Sequence, residues 1–465
     1  MAQTPARLVN HLFWRAGMGL TPREMDYFSR IPYDELVNDL FRSSSDFRPI
    51  VTEHVTVSGE VYNAMKGTGQ FKYRKASREA QRRLNALWRS RMIATEGCLR
   101  EKMALFWHGH LVAWSHWSNS TEQYLNILRE HGLGDLGTLL KKVSRSSAML
   151  AYLSNQRNKK DAPNENFARE LMELFTLGRG YYSEQDIHEA ARAFTGWGFK
   201  LDTAEFHFRE NQHDFGEKTF RGKTGNFDGD DILDMLLADK QTAVFITRKM
   251  YRWFVCPEVH EEFAARMADR FFTSGYDIAD LMRFVFTSDH FKDTAVMGRR
   301  IKSPIELICG LDKNFALRFE REEDGMFLQR MLGQVLLHPP NVSGWKEGNA
   351  WIDSSSLMLR LKLPSALLNK GNLDWDEPGA SAGDLDKMMA PAGDAPMRDA
   401  DGRLLRVAPD KAAFLAQLDP ATTNESLFNT LLQVDASPTL SSNVGNGDLM
   451  ERVLEVLSSP EYQLC

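Results

Sequence analysis

What the sequence has little of narrows the field first. Cysteine is sparse: the four in 465 residues, Cys98, Cys256, Cys309 and Cys465, stand far apart with no C-x-x-C pair. That spacing excludes a disulfide scaffold and reads as buried reduced thiols, with a single disulfide as the less common alternative. No uninterrupted apolar run reaches the roughly 18 to 20 residues needed to cross a bilayer, so no membrane span is expected. Neither sign of charge dominates, with 57 Lys and Arg against 63 Asp and Glu, a net −6; a dedicated nucleic-acid coat would be basic. The opening Met1-Ala2-Gln3-Thr4-Pro5 lacks the basic stretch and apolar run of a signal peptide, and Leu8 to Phe13 already reads as folded protein. Two readings follow: a cytoplasmic protein, or a periplasmic or extracellular one whose leader has been removed. Strand-forming alternation is scarce, with short candidates at His54 to Val57 and Glu205 to Phe208.

What is there is helical periodicity, so the fold class is mainly α: a multi-helix globular body with few short strands and a loop-rich C-terminal segment. Leu84, Leu87, Trp88, Met92, Leu99, Met103 and Phe106 recur at threes and fours, the stripe of one long helix or a broken pair. A second helix starts from Asn164, buries Phe167, Leu171 and Leu174, and stops at Gly178. A third is capped by Ser183 with Asp186 three residues on, buries Ile187, Ala190, Ala191 and Phe194, and ends at Gly196. Further helices are expected over 229–237, 242–254, 261–272, 278–287 and 304–317, and two more at 424–433 and 448–458. The domain reading is a helical body over 1–368, a loop-rich segment over 369–423 and C-terminal helices over 424–465 packing back on the body. Asp280-Leu281-Met282 leading to Ser288-x-x-Phe291 echoes Asp448-Leu449-Met450 leading to Ser459-x-x-Tyr462, either as a repeated packing device or by chance.

The chemistry-bearing residues gather in three places. In Phe106-Trp107-His108-Gly109-His110 the two histidines lie about 200° apart on a helix, which does not suit one metal, although either can face a pocket. Trp107, Trp114 and Trp117 read as core or wall. Asn166, Glu170 and Glu173 share one helical face with Arg169, and Asp186, His188, Glu189 and Arg192 occupy the next helix, folded back by a turn through Tyr181 and Tyr182. Such carboxylates bind a divalent ion, act as acid and base, or hold arginines. Two polar faces that meet across a hairpin must satisfy one another or water, as a clamp or as a site. His213-Asp214, with Lys218, lies in a glycine-bearing loop that can deliver a general base or metal ligand and its orienting partner; an Asx turn and a surface histidine is the bland alternative. Further along, Gln334, His338-Pro339-Pro340-Asn341-Val342-Ser343-Gly344-Trp345 and Trp351 make a rigid aromatic loop, a platform for a sugar ring or cation, or packing. The basic stretch Lys72 to Arg83 is a polyanion dock or a solvated helix face.

Several stretches together resemble the bacterial family catalogued as domain of unknown function 1800: "HLFWRAGMGLTPREM", "EKMALFWHGH", "NENFARELMELFTLGRGYYSEQDIHEAARAFTGW", "HDFGEKTFRG", "IKSPIELI" and "LGQVLLHPPNVSGWKEGNAWI", spanning about residues 8 to 362. Where that family often has histidine, in "ELHTLG", this chain has Phe175, which weakens a metal role at that position. The resemblance implies a mainly helical bacterial protein, many of whose relatives are exported and encoded beside proteins that resemble sulfatases and alkaline phosphatases. It brings no established reaction. The positions it carries over are His110, Asn166, Arg169, Glu170, Glu173, Asp186, Arg192, Trp197, His213, Asp214, Lys218, Lys302, Pro340 and Trp345.

Two functions are expected from these residues. The first is an enzyme of hydrolase or lyase type acting on a polar, anionic or glycan-like substrate. Glu170, Glu173, His213 and Asp214 would be its proton-moving groups, and Arg169, Arg192, Lys218, Lys302, Trp197 and Trp345 its substrate contacts. A divalent ion on His110, Glu173, His213 and Asp214 is allowed and not required. The second is a non-catalytic glycan- or partner-binding protein working with a sulfatase-like protein. Polar side chains converging on an open cavity favour the first; a sealed, mutually paired network favours the second.

Overall fold

The computed structural model describes residues 4–369 and 407–465, so most of the expected loop-rich segment, 370–406, lies outside the described residues. The mainly helical expectation holds: twenty-three α-helices and three small two-stranded sheets make up the described chain. The N-terminal half runs α1 (Ala6–Ala16), α2 (Pro22–Phe28), α3 (Tyr33–Ser43), α4 (Gly59–Ala64), α5 (Thr68–Ile93), α6 (Cys98–His110), α7 (Ser118–His131), α8 (Leu136–Arg145) and α9 (Ser147–Tyr152). The middle holds α10 (Asn166–Glu170), α11 (Glu184–Ala193), α12 (Gly229–Leu237), α13 (Lys240–Phe254), α14 (Glu261–Thr273), α15 (Ile278–Thr287) and α16 (Asp289–Lys292). Then follow α17 (Pro304–Phe315), α18 (Glu322–Leu332), α19 (Ser354–Asn369), α20 (Lys411–Leu415), α21 (Asn424–Leu431), α22 (Pro438–Asn443) and α23 (Leu449–Leu457).

The long stripe from Leu84 to Phe106 is a broken pair, α5 and α6, interrupted where Gly97 takes φ +72°. The expected strand at His54 to Val57 is corrected: no strand forms there. Thr52 and His54 instead turn their polar groups to α7, with Thr52 N donating to Glu122 (2.6 Å) and the His54 ring 2.9 Å from Ser118 Oγ. The second candidate does pair, β1 (Trp197–Phe199) antiparallel to β2 (Phe206–Phe208), with Trp197 opposite Phe208. A hairpin of β3 (Lys218–Phe220) and β4 (Lys223–Gly225) follows, and β5 (Arg318–Phe319) pairs with β6 (Val407–Ala408).

Two apolar cores result. The larger draws on residues from Val9 to Leu337; the smaller gathers Leu307 to Leu368 together with Val407 to Tyr462. The echoed Ser-x-x-aromatic steps make the same turn. Phe291 N donates to Ser288 Oγ (3.1 Å) and Tyr462 N to Ser459 Oγ (3.2 Å), and each ring is buried. Between the cores lies a knot of buried charge. Glu306 accepts from Lys102 and Arg300, Lys102 also donates to the carbonyls of Trp14 (3.0 Å) and Gly17 (2.9 Å), and Arg15 reaches Cys465 Sγ (3.3 Å). All four cysteines are buried and unpaired, as their spacing predicts.

Candidate functional site

Of the two expected caps only the second forms: α10 begins after Glu165 with no side-chain cap, and Asn164 makes an Asx turn before it. Asn164 Oδ1 accepts from Asn166 N (3.1 Å), and Ser183 and Asp186 make a reciprocal capping box at the start of α11. Between them α10 widens into a π-helical turn over Leu171–Thr176. Such turns insert one residue per turn and are frequent at functional sites. The turn closes at Gly178, whose φ of +85° and contact with Phe245 (2.9 Å from where a Cβ would sit) leave no room for a side chain.

Across this hairpin the charges largely satisfy each other. Arg169 joins Glu165 (3.2 Å) to Glu184 (2.8 Å), and the His188 ring lies 3.3 Å from Glu165. Glu173 accepts from the Tyr182 hydroxyl (2.7 Å) and Arg179 Nε (2.5 Å), which hold its carboxyl below the usual range. Glu170 differs from it. Half-buried beside Glu173, it has no hydrogen-bond partner among the described residues, and burial first, then the Glu173 charge, push its carboxyl up.

The His213-Asp214 loop is drawn onto α11. Arg192 donates from Nε to Asp214 (2.7 Å) and from a terminal nitrogen to Glu189 (2.7 Å) and the Glu217 carbonyl (3.1 Å). Lys218 Nζ donates to the carbonyls of Asp214 (2.6 Å) and Gly216 (2.9 Å), and Glu189 accepts from Thr219 N (3.2 Å). Burial alone would raise the Asp214 carboxyl, but Arg192 and the Gly216 N–H outweigh it and hold it low. Gly216 lies close to the pair: a Cβ there would sit 2.9 Å from Asp214 Oδ1 and 3.0 Å from an Arg192 terminal nitrogen, so a side chain would push them aside. The His213 ring is buried, with Nδ1 2.8 Å from the Thr195 carbonyl; a carbonyl only accepts, so Nδ1 carries a hydrogen.

His110 sits elsewhere, at the end of α6, fully packed. Its Nε2 is 3.0 Å from the Phe175 carbonyl and therefore holds the hydrogen, and its Nδ1 accepts from Lys249 Nζ (3.2 Å) on α13. Sequence reasoning missed Lys249. Its signal was a lysine one turn after Phe245 in an otherwise apolar helical row, and burial lowers its ammonium to about 8. The aromatic loop docks on the same helix end. Trp345 packs edge-on to His108 (5.2 Å), and Gly344, at φ +87°, lets the loop close on the Gly109 carbonyl.

The residues singled out from sequence thus fall into separate places. Arg192, Asp214 and Lys218 come together with Glu189, and Arg169, Glu170 and Glu173 share the neighbouring face. Trp197 is 3% exposed, packed between Phe194 (5.1 Å) and Phe206 (5.4 Å) beneath Arg145. Lys302 joins none of them; it is fully buried, donating to the Tyr462 carbonyl (2.5 Å) with its ammonium over Trp14 (4.1 Å). His110, Glu173, His213 and Asp214 do not converge. Among the described residues no three His, Cys, Asp or Glu side chains are grouped to hold a metal ion.

Open space lies beside His213. A groove of about 570 Å³ runs between the loop bearing Lys160 and the segment from His207 to Phe215, with Phe208 and Phe215 exposed on its walls. Their rings stand edge-on to His213 at 5.2 and 4.7 Å.

The chain belongs to the family described as protein of unknown function (DUF1800), whose model matches residues 11–464. The match continues through the C-terminal helices, past the stretches from which the resemblance was read. No curated protein and no solved structure matches the chain. No helix among the described residues is long and apolar enough to cross a membrane.

Proposed function

We propose that the protein binds a polar, anionic or glycan-like ligand without transforming it, and that its polar hairpin is a clamp that keeps the binding surface rigid. A sulfatase-like protein partner belongs to the same reading. One observation carries it: two of the four side chains expected to move protons, both carboxylates, are consumed by neighbours. Glu173 is held by Tyr182 and Arg179 and Asp214 by Arg192 and Gly216 N, so neither carboxylate orients His213, whose Nδ1–H goes to Thr195 O. A paired network of this kind stabilises a shape and leaves little capacity for proton transfer.

The enzyme reading, hydrolase or lyase, is favoured by Glu170. A half-buried carboxyl with raised proton affinity and no hydrogen-bond partner among the described residues suits a general acid.

Thermal shift with a panel of neutral, carboxylated and sulfated glycans, followed by mass analysis of each ligand after incubation, separates the two. Binding predicts a raised melting temperature with the ligand recovered unchanged. Recovery of a cleaved ligand, with cleavage lost in Glu170→Gln, establishes the enzyme instead. For the clamp, Asp214→Asn is expected to lower stability by about 1–3 kcal/mol while leaving ligand affinity within about twofold, because it removes one of the two carboxylates that hold Arg192 and no contact to the ligand.

A further inference from the structure

The groove beside His213 has the chemistry of a site. Its walls offer two exposed aromatic faces, Phe208 and Phe215, at 40% and 55% exposure. Both lean on His213, which the Thr195 carbonyl fixes from below, so the rings have a rigid backing. The volume, about 570 Å³, falls within the range of roughly 300–1,000 Å³ typical of small-ligand sites.

Its charges point to a class of ligand. The loop that brings Lys160 to the groove also carries Arg157 and Lys159, all three exposed and without an ion pair among the described residues. The polar hairpin's arginines, by contrast, are matched to carboxylates. The opposing carboxylates are Asp161 and Glu210. Arg209 serves as wall, donating to the carbonyls of Gln156 and Trp197. Glu210 and Asn211, which also line the groove, are poor neighbours for a uniformly acidic peptide, yet they are natural partners for hydroxyl groups, which both donate and accept. Aromatic faces for sugar rings, cations for an acidic substituent and an acceptor for hydroxyls occur here in one open trough.

We propose that this groove binds an acidic glycan, a sugar chain bearing carboxylate or sulfate groups, with Phe208 and Phe215 under the sugar rings and Lys160 on the acidic group. This deepens the ligand-binding reading and rests on it.

Affinity electrophoresis of the full chain in gels containing polygalacturonate, dextran sulfate, neutral dextran or poly-glutamate tests it. Retardation is expected in polygalacturonate or dextran sulfate, which distinguishes carboxylate from sulfate, and not in neutral dextran or poly-glutamate. Phe208→Ala, Phe215→Ala and Lys160→Glu, exposed changes expected to keep the wild-type melting temperature, should each weaken retardation by about three- to tenfold, the size of one aromatic or one charged contact. Equal retardation by poly-glutamate, or retardation by the acidic glycans that the Phe variants leave intact, overturns the groove while leaving a ligand-binding protein. Retardation by neutral dextran alone overturns the acidic class but keeps binding. No retardation in any gel and no shift with any panel ligand overturns both.

Discussion

Lys302 shows how a residue's chemistry is set by its surroundings. From sequence it read as a cation for substrate; in the fold it is sealed beneath Tyr462 and Trp14, and burial lowers its ammonium to about 7. The unfolded chain, with an ordinary lysine near 10.5, binds a proton that the fold resists between those values. The Lys302 contribution to stability therefore rises as pH climbs from about 7, opposed near pH 9 and above by the buried thiols of Cys98 and Cys309, which burial pushes up. Urea melts at pH 7 and 8.5 should show a smaller gain, or a larger loss, for Lys302→Met, similar in volume and uncharged, than for wild type; an identical change in the two proteins would mean that Lys302 does not titrate in this window. The charged residues of the site were legible in sequence as a gathering, because helical spacing puts Glu170 and Glu173 on one face. Their pairing was not legible. Whether a carboxylate meets Arg192 or water depends on the approach of a loop from 22 residues away.

At the scale of elements, local chemistry was the more readable part. The helix over Gly229–Leu237 and the Ser183 capping box appear where their residues predict, because caps act within one turn. The π-helical turn at Leu171–Thr176 was invisible, since α and π turns use the same residues and differ in packing. The strand expected at His54 failed for the opposite reason: its alternation is real, but no neighbour offers a ladder. The docking of the aromatic loop on α6 gives a sharp contrast between two glycines. A Cβ at Gly109 would meet Trp345 at an ordinary 3.7 Å, whereas Gly344 has φ +87° and a Cβ there would fall well inside van der Waals distance of the Gly109 carbonyl. Gly344→Ala is expected to cost about 2 kcal/mol or more, by strain and clash together. Gly109→Ala, on a helix where alanine is favoured, is expected to stay within about 1 kcal/mol of wild type. Denaturant midpoints of the two variants check this; equal losses would mean the loop does not dock as described.

Across the whole molecule, Glu306 has the widest reach. It is fully buried at the start of α17, accepts from Ser303 N (2.7 Å), and neutralises Lys102 from α6 and Arg300 from the preceding loop. Burial would raise its carboxyl, but the two cations hold it far below the carboxylate range. Glu306→Gln keeps the shape and removes the charge, leaving two buried cations without an anion. A loss of about 3–5 kcal/mol is expected, seen as a lower urea midpoint with an unchanged slope. A loss below about 1 kcal/mol would mean that water reaches the knot.

The same knot sets a schedule for synthesis. Arg15 is sealed in α1, yet its thiol partner Cys465 is 450 residues further on. At translation rates of about 5–20 residues per second, the first helix exists for roughly 20–90 seconds before that partner is made. Through that interval a basic, apolar helix has no finished place to dock. The nascent chain should therefore lean on chaperones that shield exposed apolar surface, and most of all when translation is slow.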